Sequence, residues 1–319
     1  MKHRLVNYIQ NKIYIADNSY QRKKDSEEKQ FGSGIRINDI PYGKTYPNSF
    51  LDLYKSRKNQ KAPLIIYAHG GGFTWGSKED GDPNAGKVNG DKYWFFKKFL
   101  EEGYDIVSYG YAFAPECMYP TPVLQLQEAI RFLQDHAKEY ALDLDHLILC
   151  GSSAGGNIVG QYAAIQTNAR YAAEMKMEQI LQPKQIQCVL FNSALIDPTR
   201  YDSVHSMAFD YLLRKCGQAY YGEKVMKTAK GASQSNLLFH ADQNYPSSFI
   251  SDANTGSFYD QARDFYDLLK KMNIKTELNI YPKSEAKLSH GYESMDTKYG
   301  RDNMAKMLRF MKETSAGGI

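Results

Sequence analysis

The segment LCGSSAGGN, residues 149–157, decides how this chain is expected to fold. It places Ser153 between two glycines, each two residues away, directly after an apolar run and directly before a helical pattern. A serine on a sharp turn from a strand into a helix needs small neighbours at those two places, because larger side chains would collide there. The first amides of the helix also point at the serine and favour developing negative charge. The segment therefore predicts a nucleophilic serine, although a glycine-rich turn without chemistry is the alternative.

A second glycine-rich segment, HGGGF at residues 69–73, follows an apolar run earlier in the chain. Consecutive glycines leave backbone N–H groups uncovered, and the amides of Gly71 and Gly72 can bind an oxyanion together with the amide of Ala154. Taken alone, the segment also fits a flexible turn or a phosphate-binding loop. The Lys-Ser/Thr pair of a P-loop and the glycine spacing of a dinucleotide-binding loop are both missing from it. The two segments in this order favour an oxyanion hole that faces a nucleophile.

Apolar runs of strand length alternate with helical patterns along most of the chain. Residues 1–60 are polar and irregular, and they are interpreted as an entry hairpin whose last part, FLDLYKSR at 50–57, alternates like an edge strand. The further predicted strands are PLIIYAH (63–69), YDIVSYG (104–110), HLILCG (146–151), IQCVLFN (186–192), SSFIS (247–251) and TELNIYP (276–282). The predicted helices cover residues 91–102, 122–140, 156–178, 257–271 and 298–312. This order predicts an α/β fold with a mostly parallel sheet and helices on both faces.

Residues 198–245 differ from this alternation. They contain helical pieces at 208–216 and 218–227 but no clear strand, although they lie between two predicted strands. A segment of this kind is where we expect a small helical cap over a substrate. Nothing in the composition divides the 319 residues into halves of different character. We therefore predict a single domain over residues 1–319, with a catalytic core at about 40–312 and the cap insertion within it.

Four motifs carry a resemblance to a known family. They are HGGGFTWGS (69–77), YAFAPE (111–116) followed by Tyr119-Pro120, GSSAGGN (151–157) and HGY (290–292). Together they resemble the esterase and lipase branch of the α/β-hydrolase fold related to hormone-sensitive lipase, over about residues 40–312. The resemblance implies an eight-stranded sheet, no cofactor, an oxyanion hole formed by the HGGG loop, and a triad in the chain order nucleophile, acid, histidine. In that branch the residue before the nucleophile is often acidic, whereas here it is Ser152, which argues against a close subfamily assignment.

A seryl nucleophile needs a base, and imidazole is the group that can take the seryl proton and return it near neutral pH. The chain has seven histidines. His290 lies beyond the last predicted strand, on the loop where the resemblance places the catalytic histidine, and we predict it to be the base. His69 is better explained as a side chain that orders the glycine loop.

The acid of the triad is expected on the loop after the strand SSFIS, where Asp252 is the first carboxylate. The family usually has its acid a few residues later, at a place that corresponds here to residues 254–256. Asp260 and Glu285 are the alternatives. A further alternative is that Asp252 only caps a turn before the next helix.

These residues predict a serine hydrolase that cleaves small carboxylic esters. Ser153, deprotonated by His290, would attack the ester carbonyl, the three amides named above would hold the oxyanion, and water would release the acid. Phe73 and Trp75 are predicted to line the acyl or alcohol pocket. An amidase, an arylformamidase or a peptidase on the same fold is an alternative, and so is a non-catalytic ligand-binding homologue.

Composition narrows the partners and the location. The net charge of +4 is mild and spread along the chain, without the clustering that nucleic-acid binding needs. No apolar stretch is long enough to cross a bilayer, and residues 1–18 lack the apolar core and cleavage site of a signal peptide, so a cytoplasmic location is expected. The expected partner is a small-molecule ester, and a homodimer is left open. The cysteines are interpreted as reduced thiols rather than disulfides or metal ligands: Cys117, Cys150, Cys188 and Cys216.

Overall fold

A computed structural model describes residues 3–14, 18, 26–79, 91 and 93–316 of the chain. In this part the chain forms nine strands and ten α-helices. The strands are β1 (Glu28–Phe31), β2 (Gly34–Pro41), β3 (Phe50–Lys55), β4 (Pro63–Ala68), β5 (Asp105–Tyr109), β6 (Asp143–Ser152), β7 (Ile186–Asn192), β8 (Ser247–Ser251) and β9 (Thr276–Asn279). The helices are α1 (Arg4–Ile9), α2 (Trp94–Glu101), α3 (Thr121–Asp135), α4 (Ala154–Thr167), α5 (Ala169–Met175), α6 (Met207–Tyr221), α7 (Lys230–Gln234), α8 (Leu237–His240), α9 (Tyr259–Lys271) and α10 (Lys298–Ala316).

All of these strands join one sheet in the order β1-β2-β3-β5-β4-β6-β7-β8-β9. The pairs from β1 to β5 are antiparallel, and the pairs from β5 through β4 to β9 are parallel. The carboxyl ends of the parallel strands therefore meet at one edge, where the loops after β4, β6, β8 and β9 come together.

Both faces of the sheet are covered, as the continuous apolar character of its central strands predicts. Along β4 the side chains alternate between two separate cores. Leu64 and Ile66 pack into the larger core, which α3, α4 and α9 close. Ile65 and Tyr67 pack into a second core, which contains the aromatic side of α2 and the methionines of α10. This double burial fixes the register of β4 and with it the start of the glycine loop that follows.

The strand prediction is confirmed for the central sheet and wrong at its beginning. The sheet has nine strands where the resemblance implied eight. Residues 28–41 form β1 and β2, so β3 lies inside the sheet and not at its edge. These two strands are mostly exposed or half-buried. They therefore lack the apolar alternation that a sequence search detects.

Two other boundaries differ from the prediction. The helical pattern at 156–178 is broken at Asn168, whose side chain accepts hydrogen bonds from the amides of Arg170 and Tyr171 and so caps a new helix, α5. The last strand ends at Asn279, before the predicted end at residue 282.

Between β7 and β8 the chain is helical, as expected, and contains α6, α7 and α8. The division into a core and a cap stays a prediction. All four cysteines are free thiols, and Cys117 is the one that is only half-buried. Within the described residues, every helix falls short of the length and apolarity that a bilayer crossing requires.

Candidate active site

Ser153 lies on the turn between β6 and α4, at the carboxyl edge of the sheet. Its backbone has φ 53° and ψ −117°, a conformation that residues other than glycine rarely adopt. The glycines on either side are required by close contacts. A Cβ added at Gly151 would lie 2.4 Å from the carbonyl oxygen of Gly155, and one added at Gly155 would lie 2.1 Å from the carbonyl oxygen of Ala68. A larger residue is therefore excluded by close backbone contacts at both positions, as the sequence predicts.

Backbone hydrogen bonds hold the Ser153 turn in place. The amide of Ser153 donates to the carbonyl of Asn192 at 2.9 Å, and its own carbonyl accepts from the amide of Leu195 at 3.1 Å. Ser153 is 7% exposed.

The glycine loop after β4 lies against this turn. A Cβ added at Gly70 would lie 3.3 Å from the Cβ of Ser153. Gly71 and Gly72 have positive φ angles of 105° and 61°. Among the described residues, their amides donate to no backbone or side-chain acceptor. Ala154, the third predicted donor, is the first residue of α4. The loop thus has the free donors that an oxyanion hole requires.

His69 orders this loop, as predicted. Its imidazole stacks on the ring of Tyr111, with the ring centroids 4.1 Å apart, and its Nδ1 lies 2.7 Å from the carbonyl oxygen of Gly70. The Tyr111 hydroxyl in turn donates to the carbonyl of His69 at 2.9 Å. These contacts leave His69 with a structural explanation and no role as the base.

The two aromatic residues predicted to line a pocket pack against the protein itself. Phe73 is fully buried, and its ring stacks on Tyr220 of α6 at a centroid distance of 3.8 Å. Trp75 is nearly buried, and its amide donates to the carbonyl of Gly71 at 3.1 Å. Contact of either side chain with a substrate stays a prediction.

His290 lies on the loop between β9 and α10. Its Nδ1 is 2.8 Å from the hydroxyl of Ser257, and the rings of Phe209 and Phe258 pack edge-on against the imidazole. This desolvation lowers the pKa of His290 to about 4. The structure forms no hydrogen bond between the imidazole and the Ser153 hydroxyl, both of which it describes. In enzymes without substrate such bonds are often long, and they tighten when substrate binds.

Asp252 follows directly after β8 and is fully buried. Its Oδ1 accepts a short hydrogen bond from the hydroxyl of Ser257. Its Oδ2 has no hydrogen-bond partner among the described residues. Burial raises the pKa of Asp252 to about 8, although the Ser257 hydroxyl and the amide of Ala253 act in the opposite direction. The predicted acid and the predicted base are thus linked through a serine rather than by direct contact.

Asn254 is the first residue of the range 254–256, to which the resemblance assigns the family's acid, and its side chain connects two loops. Its amide nitrogen donates to the carbonyls of Tyr281 and Ala286 at 2.9 and 2.8 Å, and its oxygen accepts from the amide of Leu288 at 3.1 Å. The loop that carries His290 is therefore attached to the loop that carries Asp252.

The two alternative acids lie elsewhere. Asp260 forms no hydrogen bond with His290. Its carboxylate instead lies 2.8 Å from Nε2 of His205, and both of these side chains are exposed. Glu285 is exposed. Of the carboxylates that the sequence nominated, Asp252 is the one that the structure links to His290.

Two polar residues at this site were missed from the sequence. The first is Ser257, which contacts both Asp252 and His290. The second is Glu293, which is fully buried. Its two carboxylate oxygens lie 2.8 and 3.0 Å from the hydroxyl of Ser193. Serines are too common to stand out, and a glutamate in a polar segment suggests a surface position. Burial is the signal that identifies them, and it is a property of the folded chain.

His290 faces an open cleft of about 400 Å³. Phe209 of α6 lines the cleft together with Thr255 and Ser289. Thr255 and Ser289 also form an isolated parallel bridge, which brings the acid loop alongside the histidine loop. Ser153 does not line this cleft.

This sheet, with a serine on a strand-turn-helix elbow at its carboxyl edge and a histidine loop after the last strand, defines an α/β-hydrolase fold. A family model described as BD-FAE matches residues 51–269, which is more than half of the chain. The chain belongs to the BD-FAE family.

Three comparisons show what the chain is similar to. It is 25% identical over 186 residues to the esterase LipQ of Mycobacterium tuberculosis, and this match covers 56% of the chain and 39% of LipQ. It is 22% identical over 242 residues to the carboxylesterase NlhH of Mycobacterium tuberculosis, covering 72% of this chain and 66% of NlhH. The match thus spans less than two thirds of the length of either relative. The crystal structure of esterase B from Lactobacillus rhamnosis superposes with a TM-score of 0.73 at 18% identity, over 91% of this chain and 89% of that chain. This structural likeness confirms the fold.

Proposed function

We propose that this protein hydrolyses small carboxylic esters through an acyl-enzyme on Ser153. The observation that carries the proposal is the elbow, where Ser153 is held between Gly151 and Gly155 with the glycine loop beside it. The sequence similarity to proteins named esterase and carboxylesterase supports the same reaction class.

Each step of the proposed reaction is assigned to a named group. The Ser153 hydroxyl attacks the ester carbonyl and gives its proton to Nε2 of His290. The amides of Gly71 and Gly72, with that of Ala154, bind the oxyanion of the tetrahedral intermediate. Protonated His290 then returns the proton to the leaving alcohol, and a water molecule activated by the same imidazole releases the acid.

An ester is favoured over an amide for two reasons. An alkoxide leaves with less assistance than an amine, and the relatives reported above are named for ester hydrolysis. The amidase, arylformamidase and peptidase alternatives differ from this proposal in the leaving group and share the same nucleophile.

The proposal is tested with p-nitrophenyl esters of two to eight acyl carbons and with a fluorophosphonate probe. The unmodified protein is expected to hydrolyse the esters and to bind the probe covalently. Ser153→Ala is expected to lose both, with turnover reduced about a million-fold, as the loss of a catalytic serine does in other hydrolases.

Ser152→Ala is the matched control, since Ser152 is the adjacent serine and is also nearly buried. We expect this variant to keep both activities. Labelling of the Ser153→Ala protein, or no labelling of the folded unmodified protein, would contradict the proposal and favour the non-catalytic alternative.

Two further expectations belong to the same proposal. Residues 198–245 act as a cap over the site, supported by the contact of Phe209 in α6 with the imidazole of His290. The protein works in the cytoplasm, which cell fractionation would test. Whether the protein forms a homodimer is left open, and the molecular mass in solution decides it.

A further inference from the structure

Three buried or half-buried polar groups follow one another behind the proposed base. Nδ1 of His290 is 2.8 Å from the Ser257 hydroxyl oxygen, and that hydroxyl makes a short hydrogen bond to Oδ1 of Asp252. Asp252 is fully buried and Ser257 is 1% exposed. Water therefore has little access to this chain of hydrogen bonds, and the two bonds connect a carboxylate to an imidazole that does not touch it.

We propose that Ser257 is a positioning residue that transmits the charge of Asp252 to His290 and fixes the tautomer of the imidazole. The proposal rests on the proposed function, since it concerns the base of that reaction. It replaces the direct carboxylate–imidazole contact of a simple triad with a carboxylate–hydroxyl–imidazole chain.

The direction of each hydrogen bond follows from the chemistry of the groups. An ionised carboxylate accepts hydrogen bonds only, so the single proton of the Ser257 hydroxyl must point to Asp252. The hydroxyl oxygen then presents a lone pair to the imidazole, and Nδ1 of His290 must carry the proton. This leaves Nε2 without a proton, in the state that can accept one from Ser153.

The proton balance of the step is simple. When Ser153 attacks, its proton moves to Nε2, and His290 becomes an imidazolium whose Nδ1–H still donates to Ser257. The Ser257 proton stays on Ser257 and still donates to Asp252, so no proton moves along the chain. The negative charge of Asp252 stabilises the imidazolium across one hydroxyl group, and that hydroxyl aligns the ring.

Protonation of Asp252 would reverse the direction of both hydrogen bonds between Asp252, Ser257 and His290. A neutral carboxyl group can donate to the Ser257 oxygen, and the Ser257 hydroxyl can then donate to Nδ1. Nε2 would carry the proton, and the imidazole could not accept another without becoming cationic. Activity should therefore rise with pH as Asp252 ionises.

Other titratable groups lie near the hydrogen-bonded groups Asp252, Ser257 and His290. Glu293 accepts a hydrogen bond from the Ser193 hydroxyl. Burial and the charges of Glu293 and Asp252 raise the pKa of Tyr292. From the cleft side, His205 of the segment before α6 approaches with its partner Asp260. Variants of Ser257 and Asp252 must therefore be compared with each other and not only with the unmodified protein.

The experiment uses two variants that have nearly the same shape. Ser257→Thr keeps the hydroxyl, and Ser257→Val replaces that hydroxyl by a methyl group. Ser257→Ala is the third variant. The control is Ser294→Ala, because Ser294 is a buried serine close to His290 in sequence and its hydroxyl has no hydrogen-bond partner among the described residues.

We expect Ser257→Ala and Ser257→Val to lower kcat for a p-nitrophenyl ester about 10- to 100-fold with little change in KM, as misalignment of a catalytic group does. Ser257→Thr should recover most of the loss, and Ser294→Ala should remain near normal. The rise of kcat with pH that belongs to Asp252 should disappear in the Ala and Val variants. Combining Asp252→Asn with Ser257→Ala should cause a loss far smaller than the product of the two single losses, because both changes break the same connection.

Equal activity of the Thr and Val variants, each with an unchanged pH profile, would overturn the proposal. So would a double variant whose losses multiply. If Ser257→Ala does not fold, as judged by its thermal unfolding, the Thr and Val pair decides. Failure of the proposed function is distinguishable, since it would appear in the unmodified protein as activity that does not depend on Ser153.

Discussion

The nucleophile turn at residues 149–157 and the acid and histidine loops at residues 252–257 and 286–293 are built in different ways. The turn is determined by its backbone, because Gly151 and Gly155 face carbonyl oxygens at distances that leave no room for a side chain. The acid and histidine loops are determined by side-chain hydrogen bonds from Asn254 and Ser257. A motif can specify the first kind of geometry, whereas the second kind depends on which side chains meet in the folded chain.

This difference also applies to the energetics. The nucleophile turn costs backbone strain at Ser153, which neighbouring hydrogen bonds hold in place. The acid side has instead a buried carboxylate, Asp252, with one oxygen that has no partner among the described residues. Such a group is costly when it is charged. Each region therefore carries a local destabilisation, of backbone conformation in one and of charge in the other.

Among the changes that compare the two regions, the largest effect is expected from Asp252→Asn. The variant keeps the shape of the side chain and removes its charge, so the imidazole loses the group that orients and stabilises it. We expect kcat to fall about 1,000- to 10,000-fold, the range seen when an orienting carboxylate is neutralised. The measurement is the steady-state hydrolysis of a p-nitrophenyl ester.

Asp260→Asn serves as the control, because Asp260 lies on the same stretch of chain but bonds the exposed His205. Near-normal turnover in Asp252→Asn would show that another carboxylate provides the charge. A large loss in Asp260→Asn instead would assign the role to that residue.

The next effect is expected from Gly155→Ala, which tests the backbone-determined region. The added Cβ would lie 2.1 Å from the carbonyl oxygen of Ala68, so the turn or β4 must shift. We expect a loss of about 1–3 kcal/mol in the free energy of unfolding. Activity should fall about 100-fold, because a displacement near 1 Å is enough for that.

Gly160→Ala, in the same helix α4, is the matched control. Its added Cβ would lie 2.5 Å from Leu237 Cδ1 and 3.0 Å from Phe191 Cε1, which are side-chain atoms and not backbone atoms. Alanine also favours the helix interior over glycine. If both variants lost activity equally, the close backbone contact at Gly155 would not be what determines the turn.

The sequence was sufficient for the region that backbone geometry controls. Ser153, the glycine loop, the parallel strands and the position of His290 on a loop after the last strand were all predicted from spacing and apolar runs, and the structure has them there. It was insufficient at β1 and β2, whose side chains are largely exposed and leave no periodic apolar signal.

For the acid and histidine loops, the sequence predicts Asp252 as the acid but does not show that a hydrogen-bonded serine connects it to His290. Ser257 lies five residues beyond Asp252, and nothing in its neighbours distinguishes it from any other serine before a helix. Glu293 lies in a polar segment, and nothing in that segment indicates that its side chain is fully buried. Such contacts arise from the packing of two loops that are distant in sequence, and one sequence without its folded form does not encode them in a readable pattern.

A smaller effect is expected on stability as a function of pH. Asp252 has a pKa of about 8 in the folded protein against 3.8 ordinarily, so between these values the folded state holds a proton that the unfolded state has lost. Stability therefore falls as pH rises through this window. His290 acts oppositely between about 4 and 6.5, because its folded pKa is lower than its ordinary value. From pH 6.5 to 8 the effect of Asp252 remains alone, and it amounts to about 2 kcal/mol.

The Asp252→Asn variant should lack this loss. We expect its thermal unfolding temperature to exceed that of the unmodified protein by more at pH 8 than at pH 6, while its turnover is far lower. Calorimetry at the two pH values makes the comparison. An unchanged difference between the two proteins would mean that Asp252 is ionised in the folded state across the whole range.

The smallest effect on activity is expected from Asn254→Asp, which places a carboxylate within residues 254–256, the range to which the resemblance assigns the acid. Asn254 is nearly buried and donates two hydrogen bonds, so the new carboxylate would face the carbonyl oxygens of Tyr281 and Ala286 without a proton to offer. We expect a loss of about 1–3 kcal/mol in the free energy of unfolding, since two buried acceptors lose their donor. The exposed substitution Asn244→Asp should change little.

Activity distinguishes the two ways of building the acid side. Ser257 and Asp252 are unaltered in Asn254→Asp, so kcat should fall only several-fold, through loosening of the loop that carries His290. Combined with Asp252→Asn, the new carboxylate should restore no activity, because residue 254 is bound to residues 281, 286 and 288 and not to the imidazole. Recovery of turnover in that double variant would mean that the two loops can rearrange to give direct contact between acid and histidine. In that case the hydrogen-bonded chain through Ser257 would be one of two arrangements that this site can adopt.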